Sequence, residues 1–165
     1  VAAELPMVAL ASRLNGTLGT VYGLMLLVAM FCNALASLVG LIAYLEQNEE
    51  YIDWWYKNGD NGKQHYAIEY SADNENGKSL FYVDFIIRMK NGHIYLFDTK
   101  SAGSDAFAHN KHNALLQYIK ENTSDEIPLS GGIILQQGEN WLYSPLPIEN
   151  TTDTLNWNCF YPQNA

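Results

Sequence analysis

From Val21 to Leu45 the chain reads VYGLMLLVAMFCNALASLVGLIAYL, an apolar run without one charged residue. At about 1.5 Å rise per residue it is long enough to span the roughly 30 Å hydrocarbon layer of a bilayer. The pattern therefore predicts a transmembrane-type helix, with a hairpin of two buried core helices as the other structure it allows. Gly19 and Gly23 form a small-xxx-small pair suited to close helix packing. A secretory signal fits poorly, because only Arg13 stands ahead of the run and the preceding segment is itself apolar. Arg13 on one flank and Lys57 on the other leave no charge bias to set an orientation.

Beyond Leu45 the texture changes to short aromatic and β-branched runs cut by Asn, Gly and Asp. EQNEEYIDWWYK, residues 46–57, predicts a helix end stopped at Asn58-Gly59 and followed by the loop DNGK. HYAIEY, residues 65–70, predicts a strand. SLFYVDFIIRM (79–89) and HIYLFDTK (93–100), joined through Lys90-Asn91-Gly92, carry the strongest hairpin signal in the chain. After the turn SAGSD, the segment AFAHNKHNALLQYIKE predicts a helix whose Phe107, Leu115, Tyr118 and Ile119 share a face. GGIILQQ and NWLYS, around Gly138-Glu139, predict a last strand pair, and the closing twenty residues read as an irregular tail. Helices interleaved with strands make this part α/β.

The hairpin register decides whether a site exists. A two-residue turn at Asn91-Gly92 would pair Phe85 with Asp98 and put Asp84 on the opposite face. A three-residue loop with Gly92 in the left-handed region as a G1 bulge sets Met89 against His93 and Asp84 against Asp98. Alternation favours the second. One face then collects Phe81, Val83, Phe85, Ile87, Met89, Tyr95 and Phe97, and the other Tyr82, Asp84, Ile86, Arg88, Asp98 and Lys100. Opposed strand residues have Cβ atoms about 5 Å apart, so two carboxylates would face each other and need compensation. A divalent cation supplies it, with Lys100 two positions after Asp98 as a neighbouring positive group.

Charge sharpens this picture. The 165 residues carry 9 Lys+Arg against 18 Asp+Glu, a formal charge of −9, which excludes a generic basic nucleic-acid coat and makes any nucleic-acid contact local. Residues 1–45 hold only Glu4 and Arg13, so the entire excess lies in the later part. Cys32 and Cys159 are the only cysteines, too few for a disulfide framework or a four-ligand zinc site. His109 and His112 have i, i+3 spacing but no third ligand, which favours a structural reading over zinc. Trp54, Trp55 and Tyr56 read as core aromatics more readily than as base-stacking groups. Beginning at Val1, the chain is expected to be a fragment of a longer protein.

YVDFIIRMKNGHIYLFDTK resembles the core of the PD-(D/E)xK nucleases, with Val83-Asp84 where Pro-Asp often stands and Asp98-Thr99-Lys100 as the second signature. WWYKNG (54–59) and KHNALLQYIKE (111–121) extend the resemblance to the C-terminal nuclease region of type III restriction Res subunits and DEAD/DEAH-box helicase-nucleases, over residues 44–144. The resemblance implies a restriction-endonuclease-like core, a mixed central sheet flanked by helices, preceded by the apolar segment. Three regions follow: an apolar helical segment 1–43, expected to be foreign to the domain; a nuclease-like domain 44–144; and a tail 145–165.

By the same resemblance Asp84 and Asp98 match the metal-binding acids and Lys100 the catalytic lysine, while Lys111 is either a phosphate contact, as the resemblance suggests, or a solvated lysine. Hard carboxylate oxygens suit Mg²⁺ or Mn²⁺, the Thr99 backbone carbonyl is a further candidate ligand, and Glu69 is a candidate ligand or a solvated strand-edge acid. The expected reaction is phosphodiester hydrolysis of DNA in the cytoplasm, with a helicase motor and a methylation subunit outside this chain. No Gly-rich phosphate loop ending in Lys-Ser/Thr is present, so ATP would act only through that motor. The family's usual acid on the preceding helix falls near Ile42 or Ala43, which are apolar. The alternative is a noncatalytic membrane-tethered or scaffold module that retains the nuclease fold.

Overall fold

The computed structural model describes residues 13, 15–59, 62–71, 78–100, 108–149 and 154–164. The predicted turn SAGSD, Phe107 and most of the stretch SADNENGK lie outside these residues. Its elements run α1 (Gly16–Gln47), β1 (Ile52–Lys57), β2 (Ala67–Ser71), β3 (Lys78–Tyr82), β4 (Phe85–Met89), β5 (Ile94–Thr99), α2 (Ala108–Asn122), β6 (Leu129–Gln137), β7 (Asn140–Tyr143) and β8 (Asn158–Cys159), closed by a short 3₁₀ turn at Pro162–Asn164. The protein is mixed α/β, and six strands form one sheet in the order β1-β4-β5-β6-β7-β8. Every neighbouring pair is antiparallel except β5 and β6, which the α2 crossover joins in parallel. β2 and β3 form a separate antiparallel pair.

Packing divides the chain into two compact units, Val1–Ala36 and Ser37–Ala165, with the boundary inside α1. Asn15 caps this helix through its side-chain oxygen, which accepts from the Thr17 N–H at 2.8 Å. In the first unit Leu24, Met25, Leu27, Met30 and Phe31 are each more than 60 % exposed. The expected transmembrane-type segment is not supported. Among the described residues no helix is long and apolar enough to cross a membrane. In the second unit the last turns of α1 belong to the core. Leu41 and Leu45 are fully buried with Phe85, Ile87, Met89, Phe97, Trp141 and Phe160, and Leu38, Ile42 and Tyr44 pack beside them.

The 46–57 segment corrects the predicted helix end: α1 stops at Gln47 and residues 52–57 are the edge strand β1. The aromatic alternation favours a pleated edge, with Trp55 against the core and Trp54 and Tyr56 43 % and 46 % exposed, so two of the three expected core aromatics face outward. The predicted 79–89 strand is also broken. The chain leaves β3 at Val83 and enters the main sheet at Phe85, so Phe81 and Val83 join Ile68, Leu96 and Leu115 in a second cluster instead of sharing a face with Phe85. The tail is less irregular than expected, because β8 pairs with β7 and Phe160 enters the core, held by its N–H to the Trp141 carbonyl at 2.7 Å.

α2 packs over the second cluster through Leu115, with Tyr118 and Ile119 on the same face as predicted. His112 is buried there and both ring nitrogens are used: Nδ1 accepts from the Ile133 N–H at 3.0 Å, so Nε2 carries the proton donated to the Leu146 carbonyl at 2.9 Å. This supports the structural reading of the histidine. Burial holds its pKa below the usual value of 6.5, although the Leu146 carbonyl pulls the other way. A folded-state pKa below the unfolded one means stability present above about pH 6.5 and lost as pH falls through the depressed value. Urea unfolding across pH 7 to 5 is expected to show this loss in the wild type and a flatter profile, at lower absolute stability, in His112→Asn.

Candidate acid–lysine site

The turn after β4 places the site. Gly92 has φ of +92° and its N–H donates to the Met89 carbonyl at 2.9 Å, while the Met89 N–H donates to the His93 carbonyl at 2.8 Å. This is the three-residue loop, and the pairs Phe85–Phe97, Ile86–Leu96, Ile87–Tyr95 and Arg88–Ile94 follow from it. The ladder ends at Phe85–Phe97, and Asp84, one residue before it, lies close enough for its charge to act on Asp98.

Asp84 sits at the break between β3 and β4, and Asn58 holds that break open. The Asn58 N–H donates to the Asp84 carbonyl at 2.8 Å, and its side-chain amide donates to the Val83 and Tyr66 carbonyls at 2.9 and 2.7 Å. Its Oδ1 accepts from the Tyr66 N–H at 3.1 Å, so a residue only 2 % exposed has its polar groups satisfied. Lys57, the residue before it, reaches Asp84 Oδ1 at 3.0 Å. Asp84 Oδ2 accepts from the Thr99 N–H at 2.8 Å and from the Thr99 hydroxyl at 2.6 Å. Burial would raise the Asp84 pKa, but these Thr99 bonds and the Lys57 ammonium outweigh it and hold the carboxyl below its ordinary range.

Asp98 differs from its neighbour. It is 4 % exposed, and burial, helped by the Asp84 charge, pushes its pKa up to about 6 against the pull of Lys100 and Lys111. Lys100 Nζ stands 3.1 Å from Asp98 Oδ2. That oxygen nevertheless makes no well-formed hydrogen bond among the described residues. The two carboxylates are thus met by three ammonium groups, which makes this place locally positive in an acidic chain.

Asp84, Asp98, Thr99 and Lys100 are brought together, and Lys111 lies close enough to act on Asp98 while its Nζ sits 5.9 Å from the centre of the Tyr70 ring. Thr99 donates to Asp84 through both its N–H and its hydroxyl. Glu69 lines an open groove between β2 and α2 with Tyr70, Gln117, Tyr118 and Glu121. Among the described residues no group of three or more His, Cys, Asp or Glu assembles, so Glu69 does not complete the acid pair. The expected helix-acid position, Ile42, packs against the apolar core. Lys57 and Asn58 were the residues missed by sequence reasoning. Their signal was their place directly after an aromatic run in WWYKNG, which a strand assignment would have set beside Phe85 and Asp84.

Two hard carboxylates, one carrying a buried oxygen without a well-formed hydrogen bond, suit a small divalent cation better than a soft metal. Comparison with protein-family models, with curated proteins and with solved structures finds no match to this chain.

Proposed function

We propose that the Asp84–Asp98–Lys100 cluster hydrolyses DNA phosphodiester bonds with Mg²⁺ or Mn²⁺, on a restriction-endonuclease-like core of the kind found at the C-terminus of type III restriction Res subunits and helicase-nucleases. The observation that carries this reading is the buried Asp98, whose Oδ2 lacks a well-formed hydrogen bond, beside a second carboxylate and with the Lys100 ammonium 3.1 Å away. Asp84 and Asp98 would hold the ion, which supplies Lewis-acid polarisation of the phosphate and a water of lowered pKa. Lys100, 19 % exposed in its side chain, is placed to orient the attacking water or to neutralise charge developing on the phosphate. Asp98 is mostly ionised at neutral pH despite its raised pKa, so it remains available as a ligand. Lys111 adds a contact for the DNA backbone from α2, and the positive surroundings offset the −9 of the chain where the phosphate would lie.

In this reading DNA is delivered in the cytoplasm by a helicase motor and a methylation subunit, and ATP acts only through the motor. A second reading, a noncatalytic scaffold or membrane-associated module with the same fold, is favoured by one observation: both oxygens of Asp84 already have partners within the chain. Plasmid nicking separates the two. Mg²⁺-dependent cleavage is expected, lowered about 10²- to 10³-fold in Asp84→Ala and in Lys100→Ala and unchanged in the exposed control Glu139→Gln. Absence of cleavage together with absence of Mn²⁺ binding would favour the scaffold.

A further inference from the structure

Two neighbouring carboxylates need positive charge, and in this protein two lysines divide the task. Lys100 attends Asp98 at 3.1 Å and Lys57 attends Asp84 at 3.0 Å. Their settings differ. Lys100 lies two residues from its partner on the same strand, whereas Lys57 reaches across from the edge strand β1, 27 positions earlier in the chain. Its ammonium also donates to the Asn58 carbonyl at 3.0 Å and lies 5.6 Å from the centre of the Phe85 ring, so the head group is directed by its own backbone and an aromatic face onto one carboxylate oxygen. With Thr99 donating twice to Oδ2, Lys57 completes the saturation of Asp84, while Asp98 Oδ2 has the Lys100 ammonium 3.1 Å away but no well-formed hydrogen bond.

We infer that Lys57 is a built-in competitor for the divalent cation: its ammonium occupies Oδ1, the one oxygen of Asp84 that Thr99 does not hold, and must swing away before that oxygen can ligate. The inference rests on the metal-binding reading above and adds a residue that controls it. The physical reason is simple. A metal and an ammonium group cannot share the lone pair at Oδ1, and a positive charge 3.0 Å from that oxygen repels a second cation arriving there. The lysine is 30 % exposed in its side chain, so solvent is available to receive the displaced head group. The consequence is a site that stays folded and neutralised without metal and binds the ion more weakly than its two carboxylates alone would. Lys57 therefore acts on affinity through Asp84, as a positioning residue and not as a catalytic one.

The test is Mn²⁺ titration by calorimetry at pH 7.5 on the whole chain, with circular dichroism to verify folding. Lys57→Met keeps the apolar stem over Phe85 and removes the charge, and Lys57→Gln is the second variant should the first fold poorly. Both are expected to bind Mn²⁺ about tenfold more tightly than the wild type. Lys57→Arg, which retains the charge, is expected to bind as weakly as the wild type. A structural prop alone would give the opposite sign, since losing it would loosen Asp84 and weaken binding. Equal or weaker Mn²⁺ affinity in Lys57→Met and Lys57→Gln, with the wild type still binding, overturns the competitor role and leaves the metal site standing. Failure of the wild type and of every variant to bind overturns both.

Discussion

Asp98→Asn is expected to lose Mg²⁺-dependent cleavage by about 10³-fold and, at the same time, to be more stable than the wild type at pH 7. The two effects have one cause. Asp98 is buried and its folded pKa lies at about 6, above the unfolded value of 3.8, so the folded state holds the proton more tightly. The ionised carboxylate therefore costs stability at neutral pH, on the order of 2–3 kcal/mol, and this is recovered as pH falls through about 6 toward 4. Asn keeps the shape without the charge, and Lys100, part exposed, can turn to water. Urea unfolding at pH 7 and pH 5 checks it: the variant should gain stability at pH 7 and lack the acid-side gain that Asp98 contributes. Because His112 contributes with the opposite sign in the same window, the comparison must be between Asp98→Asn and wild type at each pH. A variant less stable at pH 7 would sink the idea that this carboxylate is held at a cost for function.

Gly131→Ala is expected to be the most damaging small substitution in the chain, for reasons of backbone approach. Gly131 lies on β6 with φ of +149°, and a Cβ there would stand 2.0 Å from the Leu96 carbonyl oxygen on β5. Neither strand can retreat, because the β5–β6 ladder carries Asp98 opposite Ile133 and Thr99 opposite Ile134 in the middle of the sheet. Separating the strands breaks that ladder, and a cost of 4 kcal/mol or more is a large part of the ~5–15 kcal/mol that holds a domain together. Gly92→Ala provides the contrast. Its φ of +92° is also left-handed, but its Cβ meets nothing within 4 Å, so only the conformational penalty of about 1–2 kcal/mol remains. Soluble yield and the urea midpoint should rank wild type, then Gly92→Ala, then Gly131→Ala, with the last largely unfolded. If Gly131→Ala matched Gly92→Ala, the close approach would not be what sets this strand pair.

Local sequence was a good guide where short-range chemistry decides. Lys90-Asn91-Gly92 specified its own loop length, because only Gly92 accommodates the left-handed position, and the register of the four residue pairs between β4 and β5 followed. Leu115, Tyr118 and Ile119 on one face of α2, and the β6–β7 hairpin at Gly138, were legible for the same reason. The helix-like spacing of 46–57 misled because its acids and aromatics suit either structure, and β1 is a strand only through its pairing with β4. The break at Val83-Asp84 was hidden because each half alternates correctly by itself. What separates them is the Asn58 side chain, which reaches Val83 from 25 positions away.

By itself, then, the order of residues determined the register of the β4–β5 hairpin, whose open end lies beside Asp84 and Asp98, since a glycine turn and period-two alternation act over a few neighbours. Tertiary structure alone decided that Asp84 is satisfied by Lys57 and Thr99 while Asp98 is buried with an oxygen that lacks a well-formed hydrogen bond. Those differences come from burial and from charges on distant strands, which act through space and leave no periodic trace along the chain.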